Sequence, residues 1–115
     1  MAVNGRKKGI GYELATIKKM KELGFEEAVS SRSESKRTDD AGVDICYTFP
    51  FQVQCKAVEK LPTSYHAILK GMPNNAGINV LMHKKNREGT VVSLNEKDFY
   101  KIVKVLMDKN LLGEL

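Results

Sequence analysis

The sequence predicts an α/β fold: a mixed β-sheet flanked by helices, in the order helix, three strands, helix, two strands, helix. Three observations carry this. Ile10, Leu14, Ile17 and Met20, and again Phe99, Ile102, Val103 and Leu106, recur at the spacing of one helix face. Residues 43–48 and 51–57 read as the two strands of a hairpin, joined tightly at Phe49-Pro50. Residues 78–83 and 90–94 are strand-like runs separated by the charged turn 84–89. Helices laid on such a sheet bury the apolar face of each with few elements.

The elements follow in order. Residues 1–8 form a short polar arm with Arg6, Lys7 and Lys8, mobile or laid against a partner. The first helix spans residues 9–23, and Gly24 supplies its left-handed stop. A short strand at 26–32 centres on Ala28 and Val29. Residues 33–42 are a polar loop with Asp39, Asp40 and Gly42. After the hairpin, residues 61–72 suggest a helix capped by Thr63 or Ser64, with Ile68 and Leu69 inward. Pro73, Asn74, Asn75 and Gly77 make a loop. Val80 and Met82 are core positions of the next strand. For the last helix Asn95 is the N-cap, with Asp98 three positions on and Leu94 and Phe99 placed as a hydrophobic staple.

All 115 residues belong to one domain with a small core. The composition, 42% hydrophobic and 29% charged, is that of a soluble globular protein. A net charge of +5 and a pI near 9.2 permit a polyanionic partner without requiring one. Cys46 and Cys55 form no CxxC pair, which speaks against zinc and against a disulfide scaffold. They read as reduced core residues of a cytoplasmic protein. No apolar run is long enough to cross a membrane, and the basic start lacks the apolar stretch of a signal peptide.

Chemistry gathers on the hairpin. Along residues 51–57, Phe51, Val53, Cys55 and Ala57 share an apolar face, and Gln52, Gln54 and Lys56 share the other. A lysine in mid-strand calls for an acidic partner. Asp44, which opens the preceding strand just after Gly42, offers one. Oxygen donors of this kind suit Mg²⁺. A lysine beside them can orient or deprotonate an attacking water, or offset charge on a phosphorane. Glu13 lies at the border of the first helix's buried stripe; it is either a solvated flanking residue or a carboxylate turned inward toward a partner or ion.

The ordered set Gly11-x-Glu13, Gly24-Phe25, Ser31-Arg32-x-x-Ser35, Gly42-Val43-Asp44 and Gln54-Cys55-Lys56 resembles the PD-(D/E)xK nuclease superfamily, and within it the archaeal and phage Holliday-junction resolvases. The resemblance covers residues 9–82. It implies a restriction-endonuclease-like fold, Glu13, Asp44 and Gln54 as ligands of Mg²⁺ (with Mn²⁺ as a substitute), and Lys56 as the catalytic lysine. Ser33 or Ser35, with Arg32, would match the loop that meets the scissile phosphate. One residue departs from the pattern: the family usually has Glu or Asp where this chain has Gln54. Restriction enzymes similar to the Mrr group also carry Gln there.

The remaining polar residues have competing readings. Lys36, Arg37, Lys84, Lys85 and Arg87 either clamp phosphates beside the site or are solvated loop charges. His66 and His83 read as surface or core residues, since neither has a visible acidic orienter. Tyr47, Phe49 and Phe51 read as core packing and hairpin formation rather than base stacking. The leading expectation is an endonuclease that cuts branched DNA as a homodimer, because symmetric incision needs two sites. Leu111, Leu112 and Leu115, left over after the last helix's own stripe, either mark the partner surface or pack on their own domain. The alternatives are a restriction or repair nuclease on duplex DNA, and a catalytically inactive DNA-binding module.

Overall fold

The computed structural model describes residues 5–115, so the first four residues of the expected arm lie outside the described residues. The rest of that arm is helical. The first helix, α1 (Gly5–Leu23), already contains Arg6, Lys7 and Lys8. Apolar periodicity could not show this turn, which holds no apolar side chain before Ile10. The buried stripe also differs from the expected one. Glu13, Thr16, Ile17 and Met20 face inward, while Leu14 is 54% exposed. Glu13 can be buried because partners on the next strand receive its carboxylate. Gly24, at φ +125°, ends the helix, with the Phe25 N–H returning to the Met20 carbonyl.

Five strands form one sheet in the order β1 (Val29–Ser30), β2 (Ile45–Cys46), β3 (Phe51–Ala57), β4 (Ile78–Lys85), β5 (Gly89–Leu94). Only β3 and β4 run parallel, and α4 (Tyr65–Gly71) makes the crossover between them. Ser64 is its N-cap, its Oγ accepting from the Ala67 N–H at 3.1 Å. The polar stretch after β1 is not a loop. It forms two short helices, α2 (Ser31–Glu34) and α3 (Lys36–Asp40), capped by the hydroxyls of Ser30 and Ser35. Helices this short leave no apolar period in a sequence, and only their serine caps mark them.

The sheet has a core layer on each face. On one, α1 packs Ile17 and Met20 over Ala28, Ile45 and Val53, with Phe51, Cys55 and Met82 alongside. On the other, α4 packs Ile68, Leu69 and Met72 over Val43 and Leu81. The expected alternation of β3 holds: Phe51, Val53 and Cys55 look toward α1, leaving Gln52, Gln54 and Lys56 for the α4 side. There Gln52 is held by amides. It exchanges two hydrogen bonds of 3.1 Å with Asn75, and its Nε2 donates to Asn79 Oδ1 at 2.7 Å. A Cβ at Gly77 would come within 2.8 Å of the Gln52 amide, so a glycine lets this loop close over the pair.

The aromatic residues of the hairpin correct one expectation. Phe51 packs, but Tyr47 and Phe49 are 57% and 76% exposed. Tyr47 sits at φ +65° and donates its hydroxyl to Glu34 at 2.7 Å, which turns the ring outward. The last helix, α5 (Glu96–Asp108), corrects another. Asn95 holds the N-cap position without a side-chain bond, and Phe99 is 50% exposed, so no staple closes over Leu94. Ile102, Val105 and Leu106 of α5 instead face Pro50, Phe51 and Ile78 across an apolar cavity of about 350 Å³. The molecule is elongated, 51 × 29 × 27 Å, with a radius of gyration of 14.8 Å. A compact chain of this length would have about 13 Å.

Candidate functional site

Asp44 stands where β2 and β3 fork. Its N–H donates to the Val53 carbonyl at 2.8 Å, and its own carbonyl accepts from the Ser31 N–H at 2.9 Å. Ile45 beyond it packs toward α1, while Val43 before it packs toward α4. The backbone therefore twists across the sheet plane at Asp44. Its side chain turns into the opening, where Oδ2 accepts from the Cys55 N–H at 2.7 Å. Gly42, at φ +86°, makes the approach, and a Cβ there would lie 3.6 Å from the Gln54 amide nitrogen.

Burial pushes the Asp44 carboxyl up to about 6; the Cys55 N–H partly offsets this, Glu13 and Asp39 add to it, and Lys56 lowers it. The carboxyl is thus short of positive charge. Glu13 and Lys56 both act on it electrostatically, although they belong to opposite faces of the sheet. Of the expected residues, Glu13 and Lys56 are linked to Asp44 by charge at longer range and not by contact.

Gln54 and Lys56 lie side by side on the α4 face, lining a shallow groove of about 280 Å³ with Asp40, Gly42, Pro62 and Thr63. Neither makes a hydrogen bond or ion pair among the described residues. The neighbouring Gln52 is fully engaged, and so is His83, which lies beside Lys56 in the parallel register. His83 is buried, with Nε2 2.6 Å from the Val58 carbonyl. A carbonyl only accepts, so this nitrogen carries the proton, and the core role expected for the residue holds. His66 is exposed.

Glu13 is less open. Its Oε1 accepts from Ser30 Oγ at 2.9 Å and from Arg32 Nε at 3.0 Å, with a second Arg32 nitrogen also at 3.0 Å. Of its two expected readings, the inward one holds. Both Arg32 nitrogens converge on the one Glu13 oxygen, which makes Arg32 an ion-pair partner rather than a free phosphate clamp. Ser33 donates to the Ser30 carbonyl, and Ser35 caps α3. Ser30 was not singled out by the sequence. Its only signal is the period of two from buried Ala28 onto the helix-facing side of a strand.

The basic residues lie on α3 and along the hairpin of β4 and β5. Lys84 reaches over the Tyr12 ring at 5.9 Å, and Lys85 pairs with Glu88 at 3.1 Å. Arg87 turns at φ +66° between β4 and β5. Lys36 lies 3.9 Å from Asp40, and Arg37 lines the adjoining groove beside Gln52 and Asn75. Among the described residues no three His, Cys, Asp or Glu side chains gather into a metal-holding group.

Both cysteine thiols are free. Burial pushes the Cys55 thiol up to about 12, against the hydrogen bond to Thr16 that lowers it. With so little thiolate at neutral pH, Cys55 should be alkylated in the native protein at least about tenfold more slowly than a free cysteine. Mass spectrometry after timed iodoacetamide treatment measures this. Alkylation at the free-cysteine rate would show that the β3 backbone at the fork opens readily.

Comparison with protein-family models, with curated proteins and with solved structures finds no match to this chain. No helix among the described residues is long and apolar enough to cross a membrane.

Proposed function

We propose that this chain is a metal-dependent endonuclease that hydrolyses phosphodiester bonds in branched DNA, acting as a homodimer in the cytoplasm. The observation that carries the reading is the fork itself. Asp44, whose carboxyl is left short of countercharge by burial, opens the hairpin that carries Gln54 and Lys56, two half-buried side chains that share one strand face, line a groove and make no hydrogen bond or ion pair among the described residues. A groove lined by an amide and a lysine that stay open to solvent suits an anionic substrate.

The donors fit a hard cation. Asp44 keeps one carboxylate oxygen beyond the Cys55 N–H, and Gln54 adds an amide oxygen. Glu13, on the α1 side of the sheet and closed by Ser30 and Arg32, would be a further carboxylate donor only if Arg32 exchanged it for a phosphate. Mg²⁺ or Mn²⁺ held there would supply Lewis acidity toward the scissile phosphate. Lys56 would offset the negative charge that builds on the phosphoryl oxygens as water attacks and the ester bond breaks. Lys84, Lys85, Arg87, Lys36 and Arg37 provide the phosphate contacts that position a duplex arm without reading its sequence.

The test is incubation with a four-way junction and a matched linear duplex, with Mg²⁺, Mn²⁺ or a chelator. Metal-dependent nicking of the junction is expected. Preference for linear duplex would point to a restriction or repair nuclease, and cutting in chelator would remove the mechanism. A second reading, a DNA-binding module without catalysis, draws on one observation: Arg32 and Ser30 close the Glu13 carboxylate. Junction binding with no cutting under either metal would establish it.

Gln54 offers a finer measurement. A neutral amide attracts a divalent ion less than a carboxylate does. Gln54→Glu should lower the Mg²⁺ concentration for half-maximal cleavage by about tenfold, equivalent to about 1.4 kcal/mol of ion binding. Gln54→Ala should raise it. Identical metal titrations for the three proteins would take Gln54 out of the ligand set.

A further inference from the structure

A cavity of about 490 Å³ opens at the tip of the β2–β3 hairpin, beside the short helices α2 and α3. Its lining is rich in aromatic rings: Tyr47 and Phe49, both exposed, and the half-buried Phe51. Exposed rings gathered on one cavity mark a contact surface, as scattered apolar residues do not. The volume lies within the range of small-molecule sites, about 300–1,000 Å³. Tyr47 is also held in place. Its φ of +65° belongs to a region that residues with a side chain rarely adopt, and its hydroxyl donates to Glu34 Oε1 at 2.7 Å. A ring fixed in this way loses little freedom when a flat partner stacks on it.

Charge divides the surroundings. Glu34 lines the aromatic cavity, so a phosphate is repelled from it. A second cavity, of about 470 Å³, shares Thr38, Val43 and Gln52 with the first and is lined by Arg37. The Arg37 guanidinium makes no hydrogen bond or ion pair among the described residues. That second cavity in turn shares Ala41 and Gly71 with the groove of Gln54 and Lys56. Gln52 and Gln54 stand two residues apart on β3, a step of about 7 Å. Rings with a carboxylate, then a guanidinium, then the amide and the lysine follow one another along this side of the molecule.

We infer that the aromatic cavity is a subsite for one unpaired nucleobase of a DNA strand, stacked on Tyr47 and Phe49, with the adjoining phosphate on Arg37. The inference rests on the proposed function, and it adds the feature of the substrate that is recognised: a base without a partner, as at a branch, a gap or a strand end. The face of any base suits the rings. Its edge meets Glu34, which receives Tyr47 on Oε1 and has Oε2 left to accept from an exocyclic amino group. Cytosine carries such a group where thymine has a carbonyl oxygen, so cytosine is favoured. A base inside a duplex would first have to leave its stack and its partner, which costs free energy.

The chain has no tryptophan, so Phe49→Trp places a single reporter on the cavity. The test titrates it with single-stranded hexamers in chelator, where nothing is cut. Oligo-dC should quench its emission, and a hexamer of abasic sites with the same phosphates should not. Phe49→Ala and Tyr47→Ala should each weaken oligo-dC binding about tenfold and leave the abasic hexamer unchanged, with wild-type circular dichroism. Arg37→Ala should weaken both hexamers alike and lower the salt slope by about one counterion. Oligo-dT should bind about fivefold more weakly than oligo-dC. Equal affinity for intact and abasic hexamers, oligo-dT binding as well as oligo-dC, or aromatic variants that bind like wild type would overturn the inference. So would quenching by an oligo-lysine peptide and not by DNA, which would make the cavity a pocket for cationic side chains. Because no cleavage is measured, a chain that stacks bases and cuts nothing fails only the proposed function, and a nuclease that binds intact and abasic strands alike fails only this inference.

Discussion

Lys56→Ala should lower the rate of junction cleavage by about a thousandfold and leave junction affinity within about threefold of wild type. Lys56 has no ion-pair partner among the described residues and acts on Asp44 only at longer range. Its removal leaves no buried charge stranded, so the fold should stand, and circular dichroism checks this. Ground-state affinity comes from several phosphate contacts spread over Lys36, Arg37, Lys84, Lys85 and Arg87. One lysine among them carries a small share, and the slope of affinity against salt should fall by about one counterion at most. The charge that develops on the phosphoryl oxygens during attack is different. It is met at one place, and a donor fixed there acts on the transition state more than on the bound substrate. Single-turnover cleavage beside a binding isotherm separates the two. A fully active Lys56→Ala protein would dismiss Lys56 from the chemistry. Equal losses of rate and affinity would make it a binding residue.

Asp44→Asn should stop cleavage to a similar degree and, in metal-free buffer at neutral pH, make the protein more stable by roughly 2 kcal/mol. Burial pushes the Asp44 carboxyl up to about 6, from the ordinary 3.8. A raised carboxyl holds its proton more tightly in the folded chain than in the unfolded one. The stability it contributes is full below about pH 4 and is lost as pH rises through about 6, where the folded chain must ionise it in a poor environment. Partial solvent access reduces the penalty below the value the two pKa figures alone would give. Asparagine keeps the oxygen that accepts from the Cys55 N–H and carries no charge. The stability difference between Asn and Asp should therefore be near zero at pH 4 and open toward pH 7.5, as urea unfolding at the two pH values would show. Mg²⁺ should stabilise the wild-type protein and leave Asp44→Asn unmoved, because an ion that binds the folded state alone stabilises it by mass action. A variant less stable than wild type at neutral pH would mean that the carboxylate already has its countercharge within the chain.

Much of this was legible in the sequence because it rests on local period. The β3 strand, Phe51–Ala57, has the expected bounds, and its alternation already put Gln54 and Lys56 on one face. Gly24, Ser64 and the strands on either side of the 86–88 turn were marked by residue types whose backbone preferences act within a few positions. Asp44, Gln54 and Lys56 could be grouped before any coordinates, since a short hairpin leaves little freedom in which residues oppose one another.

Tertiary structure decided the rest. Periodicity placed Leu14 inward; packing put Glu13 there instead, because Ser30 and Arg32 stand ready to satisfy a carboxylate and nothing on that side needed Leu14. The same exchange took Arg32 from the solvent onto Glu13. Ser30 and Ser35 gave up side-chain freedom to cap helices too short to announce themselves by apolar spacing. Tyr47 and Phe49, apolar enough for a core, were turned out by the geometry of their own connection. Whether a side chain at a border position is buried depends on which group, distant in sequence, can pair with it. No window of neighbouring residues contains that group, and so Glu13 met Ser30 and Arg32 only when α1 was packed against β1 and α2.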